Sequence, residues 1–166
     1  ERGGEKMAEK QEKRKRLAMV VSKGTLDSAY APLILATTAV SMDWECGIFF
    51  TFYGLDILNK KKLNSLKVPP LANPAMPVAV PNLIGVLPGM TAVATGMMKK
   101  WMSQANMPSV GELINIALEG GAVFFACTTT MGIMGVSRED LIDSIQLAGA
   151  TTFLEYAAGA DVSLFI

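Results

Sequence analysis

The chain has 166 residues, a formal net charge of zero and 51% hydrophobic residues, which predicts one domain that buries a core without disulfides or structural metals. Eleven of the first sixteen residues are charged, and the remainder is mildly acidic, which argues against a nucleic-acid-binding surface. Histidine is absent, which excludes Ser-His and Cys-His catalytic pairs and the commonest metal ligand, so we expect no metal site.

The N-terminus differs in composition from the rest of the chain. Residues 1–16 contain one large apolar residue, Met7, and cannot bury much surface. A secretory signal would need an apolar segment after the basic one, and this start lacks it. We therefore expect a charged tail over residues 1–16, a single domain over residues 17–166 and a cytoplasmic location. The alternative to a solvated tail is a phosphate- or membrane-binding role for residues 13–16.

The first half of the domain alternates strands and helices. Residues 17–22 are continuous and apolar, as in a central parallel strand, and residues 26–42 predict a helix with Asp27 or Ser28 as its cap. The aromatic and apolar residues 44–52 predict a second strand. A short helix should follow and end in lysines at residues 60–62, where positive charge suits a helix C-terminus.

An uncharged segment of residues 68–98 is long enough to raise the question of a membrane span. Six prolines within it would break a spanning helix repeatedly, so we expect no integral membrane segment. The pattern instead predicts an extended loop over residues 68–81 and a helix over residues 82–102. Such a loop would cover a site, pack on another subunit or act as a disordered tether.

A helix and a strand are predicted next. Ser109 and Glu112 form a capping box for a helix that runs through residue 118. Residues 122–126 form a short apolar run, as a buried parallel strand does. Such a strand would deliver Cys127 to the carboxyl edge of the sheet, where ligands bind in open α/β folds.

The remaining chain completes the α/β pattern. The predicted loop after Cys127 contains glycine and methionine, and an S-x-x-D arrangement then favours a helix over residues 138–147. A T-x-x-E box predicts a short helix at residues 152–155, and residues 162–166 predict the last strand. Alternating strands and helices give an α/β fold, a three-layer sandwich around a mostly parallel sheet of four to five strands.

Cys127 is the candidate reactive residue. A lone cysteine in an apolar run is usually inert core, but Cys127 ends its run and precedes three threonines, which hydrogen-bond well around a thiolate or persulfide. Met131 and Met134 would line an apolar pocket beside it or pack under the following helix. The predicted pocket comprises Thr128, Thr129, Met131, Met134, Thr51 and Tyr53.

Cys46, the second cysteine, lies at the beginning of its predicted strand. In a parallel sheet this places it at the opposite edge from Cys127, which disfavours a disulfide between the two. We therefore interpret Cys46 as a small buried hydrophobe in a reduced chain.

Four segments resemble the DsrE/DsrF-like sulfur-relay family, in particular the branch labelled peroxiredoxin-like DsrE proteins. They are IFFTFYGLDIL (residues 48–58), NLIGVLPGMTAVATGMMKKWM (82–102), PSVGELI (108–114) and ACTTTMGIMGVSREDLID (126–143). The resemblance implies a three-layer α/β fold, homo-oligomers, and a cysteine at position 127 that accepts sulfane sulfur as a persulfide and passes it to a partner thiol. The implied partners are sulfur-donor and sulfur-acceptor proteins or small sulfur compounds, and the chemistry needs no cofactor or metal.

Two other functions stay open on the sequence alone, as does the question whether the protein is an enzyme. One is a non-enzymatic oligomeric module for assembly or for binding a small apolar or anionic ligand. The other is a thiol peroxidase, which would place an arginine near the thiolate. Arg138 is the only arginine after residue 16.

Overall fold

The structure is a computed structural model that describes residues 13–69 and 89–166. Its centre is a five-stranded, wholly parallel sheet in the order β4-β3-β2-β1-β5. The strands are β1 (Arg16–Val21), β2 (Glu45–Phe50), β3 (Val123–Cys127), β4 (Gln146–Ala148) and β5 (Val162–Phe165). The predicted α/β fold around a mostly parallel sheet is thus confirmed.

Helices cover both faces of the sheet, which gives the predicted three layers. Helices α1 and α3 pack together on one face, and α5 packs on the other face. The α-helices are α1 (Leu26–Ser41), α2 (Met90–Gln104), α3 (Val110–Glu119), α4 (Thr128–Met134) and α5 (Ala150–Ala157). Two 3₁₀ helices, Phe52–Ile57 and Leu63–Ser65, follow β2.

The three central strands, β1, β2 and β3, are apolar along most of their length because both of their faces are buried. Successive side chains of a strand point to opposite faces. In β1, Met19 lies in the main core beneath α1 and α3, whereas Ala18 belongs to the smaller cluster beneath α5. On that second face the rings of Phe49 and Phe153 stack with centroids 4.9 Å apart. Continuous apolar runs are therefore required, as the sequence indicated.

Helix starts follow the predicted caps in one case and depart from them in two. The Ser109 hydroxyl accepts a hydrogen bond from the Glu112 N–H, and the Glu112 carboxylate accepts one from the Ser109 N–H, so the predicted capping box of α3 is confirmed. Helix α1 instead has Thr25 at its cap position, upstream of the predicted residues. Helix α5 has Gly149 there, so the T-x-x-E box at residues 152–155 lies inside the helix.

The helix predicted over residues 138–147 is wrong. Ser137 and Asp140 make the contacts that would start it, because the Ser137 N–H and hydroxyl both donate to the Asp140 carboxylate. The backbone then turns to a neighbouring segment, where the Ile142 N–H donates to the Leu58 carbonyl, and continues into β4 beside β3. Hydrogen bonds to distant parts of the chain therefore prevail over the local helix-start pattern.

The lysine-rich segment also differs from expectation. The 3₁₀ helix Phe52–Ile57 ends before the lysines, which follow it in turns rather than at a helix C-terminus. Each lysine amine pairs with a carboxylate, and the pairs are Lys60–Asp143, Lys61–Asp140 and Lys62–Asp56. The lysines therefore tie this segment to the chain before β4 and to their own 3₁₀ helix.

Residues 70–81 of the predicted loop and residues 82–88 of the predicted helix lie outside the described residues. The described part of that helix, α2, begins after Gly89, whose φ of 94° is a left-handed conformation that glycine adopts readily. Within residues 13–69 and 89–166, no helix combines the length and the apolar character needed to cross a membrane.

Cys46 is a buried core residue near the start of β2, and both cysteines are free thiols. Its side chain is 1% exposed, and burial raises the pKa of the thiol to about 12. The burial of Cys46 confirms its interpretation as a small buried hydrophobe.

We expect the free energy of unfolding to fall as the pH rises from 9 towards 12, and to fall less in Cys46→Ala. The unfolded thiol loses its proton near pH 9, whereas the folded thiol keeps it up to about pH 12, so rising pH favours the unfolded chain. Denaturant titrations at several alkaline pH values measure the effect. Cys127→Ala should keep the wild-type dependence, and an unchanged slope in Cys46→Ala would contradict the prediction.

Candidate functional site

Cys127 is the last residue of β3, at the carboxyl edge of the sheet, and its side chain is 7% exposed. The strand runs directly into α4, so the predicted glycine- and methionine-containing loop after Cys127 is wrong. Gly132 lies inside that helix with open space around it, and Gly135 ends it with a φ of 64°. Cys127 therefore occupies the junction between a buried strand and the first turn of a helix.

The register of the sheet brings Thr51 to the same place. In the pairing of β2 with β3, Phe50 lies level with Ala126, so the residues that follow them, Thr51 and Cys127, lie level at the carboxyl edge. The Thr51 hydroxyl oxygen lies 2.9 Å from that of Thr130, which comes from the first turn of α4. Two hydroxyl groups from separate elements thus meet beside the thiol.

Hydrogen-bond donors around the sulfur favour the thiolate. Burial acts to raise the pKa of the Cys127 thiol, but four donors oppose burial and together lower the pKa below its ordinary value. These donors are the hydroxyl and backbone N–H of Thr130, the hydroxyl of Thr51 and the backbone N–H of Thr129. Cys127 and Cys46 are both buried, yet their pKa values shift in opposite directions because only Cys127 has such donors.

The structure places Thr51 of the predicted pocket beside Cys127 and adds Thr130, which the predicted pocket lacks. Thr130 is 2% exposed and supplies two of the four donors. A threonine three residues after the cysteine lies on the same side of a helix, which is the signal that identifies it. That signal depends on residues 128–134 being helical, and they were interpreted as a loop.

The other predicted pocket residues differ in whether they contribute to the surroundings of the sulfur. The side chains of Thr128 and Thr129 are exposed, and the Thr128 hydroxyl lies 3.5 Å from the Ala148 carbonyl oxygen. Met131 packs in the main core, and Met134 is half-buried. Tyr53 is 66% exposed and lines a shallow depression with Lys23 and Asp56. Of the predicted pocket, Thr51 and the Thr129 backbone are the parts that face the sulfur.

Arg138 has a structural role. Its guanidinium donates to the backbone carbonyls of Leu141, Ile142 and Asp143, and so holds the turn before β4. No arginine is among the groups that lower the pKa of the Cys127 thiol, so Arg138 does not supply the positive charge that a peroxide-reducing thiolate requires. The geometry therefore disfavours the thiol peroxidase interpretation.

A groove of about 660 Å³ lies elsewhere on the molecule, between the starts of α1 and α3 and the end of α2. Tyr30, Leu66, Met102 and Glu112 are among its lining residues, which include no predicted site residue. In the described part of the chain, no three Cys, Asp or Glu side chains are grouped so that they could hold a metal ion.

The fold and the site define a parallel α/β protein with a thiolate-favouring cysteine at the carboxyl edge of its sheet. The DsrE/DsrF/DrsH-like family model matches residues 13–165, and the chain belongs to this family. It is 40% identical over 158 residues to the sulfur carrier protein DsrE2 of Allochromatium vinosum, an alignment that covers 92% of this chain and 98% of that protein. It is 32% identical over 158 residues to the uncharacterized protein YrkE of Bacillus subtilis, with 93% and 99% covered.

Solved structures share the fold at low sequence identity. The ychN protein of E. coli superposes with a TM-score of 0.54 at 12% identity, covering 93% of this chain and all of that one. The protein BT1422 of Bacteroides thetaiotaomicron gives a TM-score of 0.51 at 15% identity, covering 91% and 94%. These similarities support the three-layer architecture.

We expect Thr130→Val to lower the reactivity of Cys127 at neutral pH by about tenfold and to move its pH profile to higher pH. The change removes a hydroxyl donor to the thiolate, and a hydrogen bond to a charged group contributes about 1.5–3 kcal/mol. Alkylation rates measured by peptide mass spectrometry across a pH series test this. Thr129→Val is the matched control, because Thr129 acts through its backbone N–H and should keep the wild-type profile.

Proposed function

We propose that this protein is a sulfur carrier that accepts sulfane sulfur as a persulfide on Cys127 and passes it to a partner thiol. The observation that carries the proposal is the cluster of four donors that favours the Cys127 thiolate at the carboxyl edge of the sheet. A thiolate is the nucleophile in sulfur exchange, and the pKa of a thiol controls its reactivity. The name of the A. vinosum relative, a sulfur carrier protein, supports the same role.

The chemistry consists of two exchanges at sulfur. In the first, the Cys127 thiolate attacks the outer sulfur of a donor persulfide or polysulfide; a new S–S bond to Sγ forms, the donor S–S bond breaks, and the donor leaves as a thiolate. In the second, a partner thiolate attacks the terminal sulfur, and Cys127 leaves as the thiolate. The four donors stabilise the thiolate form that attacks in the first exchange and leaves in the second.

Cys127 can be approached only from the carboxyl edge of the sheet. Cys127 is 7% exposed, and Thr128 and Thr129, which follow it, have exposed side chains. The remaining surface of the thiol lies in the cluster beneath α5, with Phe49, Phe125 and Phe153. A donor would therefore reach the sulfur from the carboxyl edge, while the apolar cluster restricts water on the other side.

The proposal includes the setting of the reaction. We place the protein in the cytoplasm, with residues 17–166 as a single domain that exchanges sulfur with donor and acceptor proteins or small sulfur compounds, and that assembles into homo-oligomers. The outer strand β5 supports assembly, because its Leu164 is 38% exposed and its Phe165 is 75% exposed. An apolar edge strand is a surface that proteins usually cover.

The carrier role predicts that incubation with polysulfide adds one or more sulfur atoms to Cys127. Intact-mass and peptide mass spectrometry should place the added sulfur on Cys127, and a thiol should remove it. Cys46→Ala should load as the wild type does, and Cys127→Ser should not load. An unmodified Cys127 in folded protein would favour the alternative, a binding or assembly module without sulfur transfer.

The assembly proposal predicts a solution mass that is a multiple of the 17.7 kDa chain mass. Light scattering after gel filtration measures it. Phe165→Glu should lower the oligomer mass, because it places a charge on the apolar edge strand. Leu154→Glu, on the exposed side of α5, offers a matched substitution off that edge and should keep the wild-type mass. A monomeric wild-type protein would contradict the proposal.

A further inference from the structure

The two hydroxyl groups beside Cys127 are arranged as a chain. They lie 2.9 Å apart, so one hydroxyl donates to the other. A hydroxyl has a single hydrogen, so when one hydroxyl donates to the other, three of the four donor groups around the sulfur can donate to it at the same time. Thr130 is adjacent to Cys127 in the first turn of α4 and presents its N–H as well as its hydroxyl to the sulfur. With Thr51 as the donor, the chain runs from Thr51 to Thr130 to Cys127 and leaves the Thr130 hydrogen for the sulfur, whereas with Thr130 as the donor the Thr51 hydrogen is left instead. The Thr130 hydroxyl lowers the pKa of Cys127 more than the Thr51 hydroxyl does, which favours the first direction.

Thr51 is held by the exit segments of β1 and β2. Its N–H donates to the Val21 carbonyl at 2.9 Å, and the Gly54 N–H donates to the Thr51 carbonyl at 2.9 Å. A Cβ atom on Gly54 would lie 2.2 Å from the Val21 carbonyl oxygen, and one on Gly24 would lie 2.1 Å from the Tyr53 carbonyl oxygen. The two segments therefore approach each other so closely that glycine is required on both sides. We call this contact the glycine lock.

The turn between Thr51 and Gly54 is strained. Phe52 has a φ of 46°, a left-handed conformation that bulky residues avoid. Its ring is 54% exposed, so the conformation does not serve to bury the ring. Backbone strain of this kind persists only where the surroundings impose it, and it concentrates at functional sites. What the turn fixes is the direction of the chain directly after Thr51.

We propose that Thr51 is a positioning residue, whose hydroxyl, fixed by the glycine lock, directs the Thr130 hydroxyl onto the Cys127 sulfur. Hydrogen-bonded chains of this kind polarise each member, so the outer hydroxyl strengthens the inner bond. The inference rests on the proposed function, since Cys127 is the sulfur that would carry the persulfide. It extends that function to a residue that acts on the sulfur through another side chain.

The test is the pH dependence of Cys127 alkylation by iodoacetamide, measured without any sulfur donor. Thr51→Val should lower the rate at neutral pH about three- to tenfold and move the profile to higher pH, and Thr51→Ser, which keeps the hydroxyl, should restore the rate to within about twofold. Because Thr51 acts through Thr130, the double variant Thr51→Val/Thr130→Val should be no slower than Thr130→Val alone. An unchanged profile in Thr51→Val, or fully multiplicative effects of the two changes, would overturn the proposal.

The glycine lock has its own test. Gly54→Ala should move the pH profile of Cys127 alkylation to higher pH, as Thr51→Val does. In a protein that already carries Thr51→Val, it should not move the profile further. Gly132→Ala is the matched control, because its Cβ would meet open space. Where Gly54→Ala does not fold, Phe52→Val takes its place: a β-branched residue disfavours the left-handed conformation of this turn still more than Phe52 does, so this variant should shift the pH profile in the same direction. A wild-type profile in the folded lock variant would overturn the role of the lock.

The alkylation tests do not depend on whether Cys127 takes up sulfur, so the two proposals can fail separately. If these alkylation profiles behave as expected while polysulfide leaves Cys127 unmodified, the proposed carrier function fails and the positioning role of Thr51 stands. If polysulfide loads Cys127 but Thr51→Val reacts as the wild type does, the carrier function stands and the positioning role fails.

Discussion

The parallel pairing of β2 with β3 decides what surrounds the Cys127 sulfur. Because Phe50 lies level with Ala126, the residues that follow them, Thr51 and Cys127, lie side by side at the carboxyl edge of the sheet. A shift of the register by one residue would turn the Thr51 side chain to the other face of the sheet. The pairing is specified by burial, since Phe50 and Phe124 lie fully within the main core and contact each other there with ring centroids 5.3 Å apart.

The site combines two opposing demands on one sulfur atom. Exclusion of water protects a bound sulfur from side reactions, but it also disfavours the charged thiolate. Hydrogen-bond donors around the sulfur stabilise the thiolate again. Cys46 shows what burial does alone, because its pKa is raised to about 12 in the same sheet. At Cys127 the donors outweigh burial without any lysine or arginine among them. When the Cys127 thiolate attacks a donor, its negative charge passes to the thiolate that leaves. Because the hydrogen-bond donors are neutral, no unpaired positive charge is then left beside the sulfur.

Much of the fold was predictable because its signals are local. Apolar runs located four strands, a capping box located α3, and the parallel-sheet rule placed Cys127 at the carboxyl edge. The error over residues 138–147 originates in hydrogen bonding between distant parts of the chain. Ser137 and Asp140 make the contacts of a helix start, yet the bond from Ile142 to Leu58 directs the backbone elsewhere. No local pattern contains that bond.

The site was predictable in part for the same reason. Cys127 is identified from its own neighbours, and Thr51, in the predicted pocket, lies within a segment that resembles the family. Thr130 was missed because its role requires a helix at residues 128–134 and a partner 79 residues earlier in the chain. The strained turn at Phe52 and the glycine lock depend on close approaches that become visible only when β1 and β2 are assembled.

The pairing of β1 with β5 has a consequence for how the protein is made. The Arg16 N–H donates to the Asp161 carboxylate across 145 positions of sequence, and β5 covers the side of β1 that β2 leaves free. During synthesis β1 emerges long before β5, so its open edge stays exposed while the intervening chain is translated. Completion of the sheet therefore waits until β5 has been translated, and until then the nascent chain presents an open edge of β1.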